Sequence, residues 1–279
     1  MGKFSGIIIV SDIDGTFLGR GRVVPENIEA IEYFKSEGGS FTLATGREHF
    51  LVPPSIPELE KICNIPLIAC NGAYVYDLEK DCIVTEEFLP EPEISGIVDA
   101  ARRHSPDVFM RITCQGNYLM EKNAKNLPAW LNEQTERTCA IPYEEILHGN
   151  WHKIAWEGTA EELTALRPLI DSMMRGGCVS MLACPTILEV QAIKGTKGAM
   201  LGRLKKLIGK ENAELWAIGD YENDLAMLRA ADRCAMPANG MDSLRSIPGI
   251  IEVCDHDKGA IAGLIRFIEN ELDGRGEGR

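Results

Sequence analysis

The residues able to do chemistry fall into four short groups. Asp12 and Asp14 lie in Asp12-Ile13-Asp14-Gly15-Thr16, Thr45 opens Thr45-Gly46-Arg47, Lys197 precedes Gly198, and Asp220, Asn223 and Asp224 share the run Gly219 to Asp224. Two nearby carboxylates repel each other unless a cation or shared proton compensates, so Asp12 and Asp14 read as a magnesium site or an acid/base pair. The other groups extend that chemistry. Carboxylates for a hard cation, a hydroxyl and backbone amides for phosphoryl oxygens, and a lysine for leftover negative charge together make a phosphoryl-transfer site. No Walker-type glycine loop is present, and an aspartate nucleophile removes the need for one, because a carboxylate is already ionised at neutral pH.

These groups require elements that bring them together. Ile7 to Val10 is an aliphatic run that reads as a strand buried on both faces, as in parallel sheets, with Asp12 and Asp14 leaving its end on the same side. A helix after Pro25, with Ile28, Ile31 and Phe34 at helical spacing, leads to a strand at Phe41 to Ala44, which runs into Thr45. A right-handed crossover puts both strand ends on one edge, so Thr45 lands beside Asp12. A third strand at Leu67 to Cys70 ends in Asn71-Gly72, and a small hairpin follows. A helix from about Lys197 through Ile208 precedes the strand Leu215 to Ile218, whose end carries Asp220, Asn223 and Asp224 to that edge.

From about Glu86 to Leu188 the rhythm changes to locally paired strands and fewer helices: helices at Pro92 to His104, Leu127 to Arg137 and Ala160 to Met174, with strands at 108–113, 118–121, 153–156, 179–183 and 187–190. The fold class is therefore α/β, a doubly wound, mostly parallel, Rossmann-like core sheet with an inserted α+β module. The divisions are 1–85 for the first part of the core, 86–188 for the insertion and 189–279 for the second part. A helix at Met241 to Ile247 and a long closing helix with a frayed tail from Gly274 complete the expectation.

With 279 residues, 45% of them hydrophobic and 25% charged, the composition is that of a globular protein. The net charge of −13 opposes binding to nucleic acid or anionic membranes through the overall field, so any phosphate must meet a local cation. Nine cysteines, an odd number without a Cys-x-x-Cys pair, suit reduced thiols in the cytoplasm rather than a disulfide framework or zinc ribbon. No membrane span or secretory signal is evident. The five histidines lack metal-ligand spacing, and Trp130, Trp151 and Trp156 read as packing residues. Arg47 is expected to anchor a structural ion pair.

Taken in order, the four groups resemble the four motifs of the haloacid dehalogenase superfamily of phosphatases. Asn71-Gly72-Ala73, the spacing from Gly219 to Asp224, Ala235-Met236 and Asp257-Lys258-Gly259 are similar to the Cof-type subfamily, whose C2 (type IIB) cap lies between the second and third motifs, where the insertion is. The resemblance implies that Asp12 attacks phosphorus to form an aspartyl phosphate and that Asp14 protonates the leaving alcohol and then activates water. It implies a Mg²⁺ set of Asp12, Asp14 through its backbone carbonyl, Asp220 and Asp224. Its substrate set is Thr45, Gly46, Lys197 and Asn223, with Lys194 the rival of Lys197. The function implied is Mg²⁺-dependent hydrolysis of small phosphorylated metabolites, sugar phosphates above all, with no nucleic-acid or membrane partner; whether the chain is a monomer or a dimer is left open. A sugar phosphomutase-like phosphotransferase and a non-catalytic sugar-phosphate-binding protein are the alternatives.

Overall fold

The computed structural model describes residues 2–276. The chain divides into two compact units, one made of the residues up to Thr85 and from Lys197 onward, the other of Glu86–Thr196.

The first unit is built on the strand Ile7–Ser11, all five of whose residues are buried. Alternation sends Ile7 and Ile9 to one face of the sheet and Ile8 and Val10 to the other, into two separate apolar clusters. One cluster takes Ile31 and Phe34 from the helix Pro25–Ser36 and Ile261, Leu264, Ile265 and Ile268 from the closing helix. The other takes Met200, Leu201 and Leu204 from the helix Lys197–Leu207 and Met227 and Leu228 from Leu225–Ala230. Each fully buried aliphatic side chain contributes about 1.5–3 kcal/mol, so this strand is held strongly in place.

The five-stranded sheet runs Ile251–Val253, Arg233–Pro237, Glu214–Ile218, Ile7–Ser11, Ser40–Leu43, with every neighbour parallel. A bridge from Ala44 to Ile68 adds the strand Leu67–Ala69 at the far side. The chain therefore winds outward from Ile7–Ser11 in one direction and from Glu214–Ile218 in the other, which makes the line between these two strands the topological switch point, where open α/β sheets bind ligands. Ser11 pairs with Ile218, so the strands end level, and the Asp12 N–H donates to the Ile218 carbonyl at 2.9 Å.

The second unit carries a six-stranded sheet in the order Thr138–Ile141, Asn117–Glu121, Phe109–Cys114, Lys153–Glu157, Ile187–Ala192, Cys178–Cys184. The first pair is parallel and the rest are antiparallel. The helices Glu91–His104 and Ala160–Met173 share an apolar cluster with Ile112, Ile154, Trp156, Leu188 and Val190. The Thr159 hydroxyl and Glu162 carboxylate form a capping box that starts the second of these helices.

Several expectations differ from the structure. The insertion does not stop at 188, because Ile187–Ala192 pairs with strands on both sides and the unit continues to Thr196. The segment read as a helix from Leu127 to Arg137 is a 3-10 run, Ala129–Arg137, interrupted at Gln134, and only its Leu131 is buried. Its apolar residues sit at the start without a helical repeat, so nothing holds an α-helical face. The strand Thr138–Ile141 and the short helix Tyr143–Ile146 were not expected. Met241 to Ile247 contains a 3-10 turn, Asp242–Ser246, and a two-residue ladder, Leu18–Gly19 with Arg22–Val23, follows the first motif. The tail expected to fray is helical through Gly276, and 277–279 lie outside the described residues.

Candidate active site

The site grows from the carboxyl ends of the two central strands. Asp12 follows Ile7–Ser11 directly and is buried. Lys197, the first residue of its helix, is fully buried, and its Nζ donates to Asp12 Oδ1 at 2.5 Å and to Asp224 Oδ1 at 2.7 Å. Gly198 permits this placement: a Cβ there would come within 2.1 Å of the Ala226 carbonyl oxygen, so any larger residue would push the lysine-bearing helix off its neighbour. Lys194, by contrast, is exposed.

Asp224 is fastened from its other oxygen, Oδ2, which accepts from the Asp220 and Tyr221 N–H groups at 2.9 and 3.2 Å. Asp220 accepts from the Thr16 hydroxyl at 2.7 Å. Gly15, at φ +85°, makes that approach possible, since a Cβ would lie 2.4 Å from Asp220 Oδ2. Thr45 is buried, its hydroxyl accepts from the Arg47 N–H at 3.1 Å and its carbonyl accepts from the Asn71 N–H at 2.7 Å. Asn223 donates to Asn71 Oδ1 at 3.1 Å, and the Asn71 side chain lies against Gly46. Cys70 and Asn71, both at positive φ, turn the end of Leu67–Ala69 back toward this edge.

The structure thus brings Asp12, Lys197, Asp220 and Asp224 into one cluster and sets Thr45, Gly46 and Asn223 around Asn71. The Asp14 carboxylate stands apart. The strand ends at Ser11, so strict alternation no longer governs residue 14; its carboxylate is exposed and makes a two-pronged ion pair with Arg47, Nε to Oδ2 at 2.8 Å and Nη2 to Oδ1 at 2.5 Å. Arg47 is in turn held by Ser55 at 2.7 Å. The ion pair expected of Arg47 is therefore made with a candidate catalytic group. Sequence reasoning missed Asn239, whose amide donates to the Gly15 carbonyl at 2.8 Å. It follows the strand Arg233–Pro237 on the same edge, and the rule that located Asp220 would have located it too.

Electrostatically, the cluster is in surplus. Carboxylate oxygens of Asp12, Asp220 and Asp224 lie within 4.8 Å of one another, against the single ammonium of Lys197. Burial pushes the Asp12 carboxyl well above its ordinary range and Asp224 adds to this, with Lys197 opposing. Burial and then Asp224 push Asp220 up to about 6. Burial acts to lower Lys197, but Asp12 and Asp224 outweigh it and hold the ammonium above its usual value. With all three carboxyls ionised, they and the one ammonium leave two negative charges, which fits an oxygen-ligated divalent cation such as Mg²⁺.

The sequence profile of the haloacid dehalogenase-like hydrolases matches residues 9–265. The chain belongs to that family. As a haloacid dehalogenase-like hydrolase it is an enzyme, and its relatives span its length. It is 24% identical to the 5-amino-6-(5-phospho-D-ribitylamino)uracil phosphatase YwtE of Bacillus subtilis, over 96% of this chain and 98% of that protein. It is 22% identical to the pyridoxal phosphate phosphatase YbhA of Escherichia coli, over 92% of this chain and 97% of that one. Among solved structures, a subclass IIB sugar phosphatase of the same superfamily aligns with a TM-score of 0.74 and 19% identity, covering 93% of this chain and 98% of the other.

Proposed function

We propose that this haloacid dehalogenase-like hydrolase is a Mg²⁺-dependent phosphomonoesterase of small phosphorylated metabolites in the cytoplasm, with sugar phosphates as the leading substrate class. The observation that carries the proposal is the cluster of buried Asp12 and Asp224 and half-buried Asp220 around the buried Lys197 at the switch point. The family relatives named for a ribityl phosphate, pyridoxal phosphate and a sugar phosphate support the substrate class.

In this reading an Asp12 carboxylate oxygen attacks phosphorus and the ester P–O bond breaks, leaving an aspartyl phosphate. Asp14 gives a proton to the departing alkoxide, and its carboxylate then takes a proton from the water that attacks the aspartyl phosphate, releasing inorganic phosphate and restoring Asp12. Because Asp14 is paired with Arg47 in this structure, delivering its proton requires that pair to open. Lys197 and the Thr45 hydroxyl hold phosphoryl oxygens, and Lys197 also keeps Asp12 aimed. Mg²⁺, held by Asp12, Asp220 and Asp224 with the Asp14 carbonyl, would neutralise charge on the phosphoryl group.

The test is phosphate release from a panel of phosphate esters, with Mg²⁺ and with a chelator, beside Asp12→Asn. Turnover that needs both Mg²⁺ and Asp12 is the expected result; binding of esters with no turnover of any would defeat the proposal.

A further inference from the structure

The loop after Asp12 and the loop holding Asp220 come from adjacent strands and meet each other where the Thr16 hydroxyl donates to Asp220. The turn at 237–241 touches each. The Asn239 side chain donates from Nδ2 to the Gly15 carbonyl at 2.8 Å, while its Oδ1 accepts from the His256 N–H at 3.0 Å. Two residues on, the Met241 N–H donates to the Asp220 carbonyl at 2.9 Å. The turn is itself tight: the Gly240 N–H closes onto the Pro237 carbonyl at 2.8 Å, and a Cβ on Gly240 would lie 3.1 Å from that oxygen and 3.5 Å from the Asp220 Cα.

We infer that Asn239 is a positioning residue, which buckles the Gly15 peptide to this turn and so sets the distance between the Asp12 and Asp220 carboxylates at which a divalent cation and a phosphoryl group are held. Gly15 is the right place for such a hold. Its neighbour Thr16 carries the hydroxyl that Asp220 accepts, and the space a Cβ on Gly15 would take is filled by that carboxylate. A shift of the Gly15 carbonyl therefore moves both loops relative to each other. Asn239 suits the task because one planar amide donates to one loop and accepts from another. Its side chain is exposed, so the bond competes with water and its loss is felt as misplacement more than as lost stability.

The inference rests on the phosphatase reading, and calorimetric Mg²⁺ binding to the whole protein separates the two. Asn239→Ala removes both hydrogen bonds; Asn239→Asp keeps the acceptor for His256 and loses the donor to Gly15. Both variants are expected to weaken Mg²⁺ binding roughly threefold to tenfold, the equivalent of one hydrogen bond. With Mg²⁺ saturating, kcat should fall by about the same factor while KM stays within about twofold, and a urea unfolding midpoint equal to that of wild type excludes a loss of folded protein as the cause. Mg²⁺ affinity and kcat both within twofold of wild type overturn the role of Asn239. If Asn239→Ala does not fold, Asn239→Asp is judged by the same criteria. A wild-type protein that binds Mg²⁺ but hydrolyses no ester defeats the phosphatase reading, and the change in Mg²⁺ affinity then still decides the role of Asn239.

Discussion

Buried charge is arranged in opposite ways in the two units. On the sheet of the inserted unit, buried cations are matched with carboxylates: Arg111 pairs with Glu157 at 2.6 Å and Lys153 with Glu189 at 2.8 Å. At the switch point of the core, three carboxylates converge on one ammonium. Matched pairs offset their own desolvation and need nothing further. An unmatched cluster costs stability unless a cation joins it, so its persistence in a folded protein points to a task.

The sharpest way to break this comparison is to remove the Asp12 carboxylate. Asp12→Asn should lower turnover by at least about 10⁴-fold and abolish phosphoenzyme, read by intact-protein mass after rapid quench. Asp14→Asn should slow leaving-group departure and hydrolysis by about 10²–10⁴-fold with the Asp12 nucleophile intact. Equal, mild losses in both variants would erase the division of labour between them.

Removing a cation or its partner tests the matched and unmatched arrangements directly. Lys197→Met leaves Asp12 and Asp224 buried without their ammonium and should cost about 3–5 kcal/mol in urea unfolding without metal, with part regained on adding Mg²⁺. Glu189→Leu in the inserted unit should also cost about 3–5 kcal/mol by taking a carboxylate from Lys153, but Mg²⁺ should regain none of it. Equal rescue of both variants by Mg²⁺ would remove the contrast between the units.

The smallest effect is on pH. Because burial, then Asp224, push Asp220 up to about 6 in the metal-free protein, protons compete with Mg²⁺ below that value. Mg²⁺ affinity should fall by up to about tenfold per pH unit below 6, by calorimetry. The stability of the metal-free protein moves the other way. An unfolded aspartate titrates near about 4, so the native protein binds this proton more tightly, and the stabilisation it contributes is lost as pH rises from about 4 through 6.

Much of the candidate site was legible because it hangs on strand ends. Ile7 to Val10 and Leu215 to Ile218 are apolar runs bounded by polar clusters, and parallel topology sends such ends to one edge, so Asp12, Thr45 and Asp220 could be assigned to one edge of the sheet from periodicity and crossover handedness. Segments without periodicity were not legible. The 3-10 runs at Ala129–Arg137 and Asp242–Ser246, and the strand Thr138–Ile141, whose residues are half-buried or exposed, owe their form to neighbours distant in sequence.

From its sequence alone this protein is a haloacid dehalogenase-like hydrolase with an α/β core and its reactive residue types in a fixed order, because burial periodicity and motif spacing are local properties of a chain. Tertiary structure decided which side chains meet. It turned Asp14 to Arg47 instead of toward Asp12, selected Lys197 over Lys194, and brought Asn239 to Gly15 across a separation of 224 residues. Those contacts depend on where loops from different strands come to rest, and a charge or an amide finds its partner only when the packed sheet and helices have fixed the distance between them.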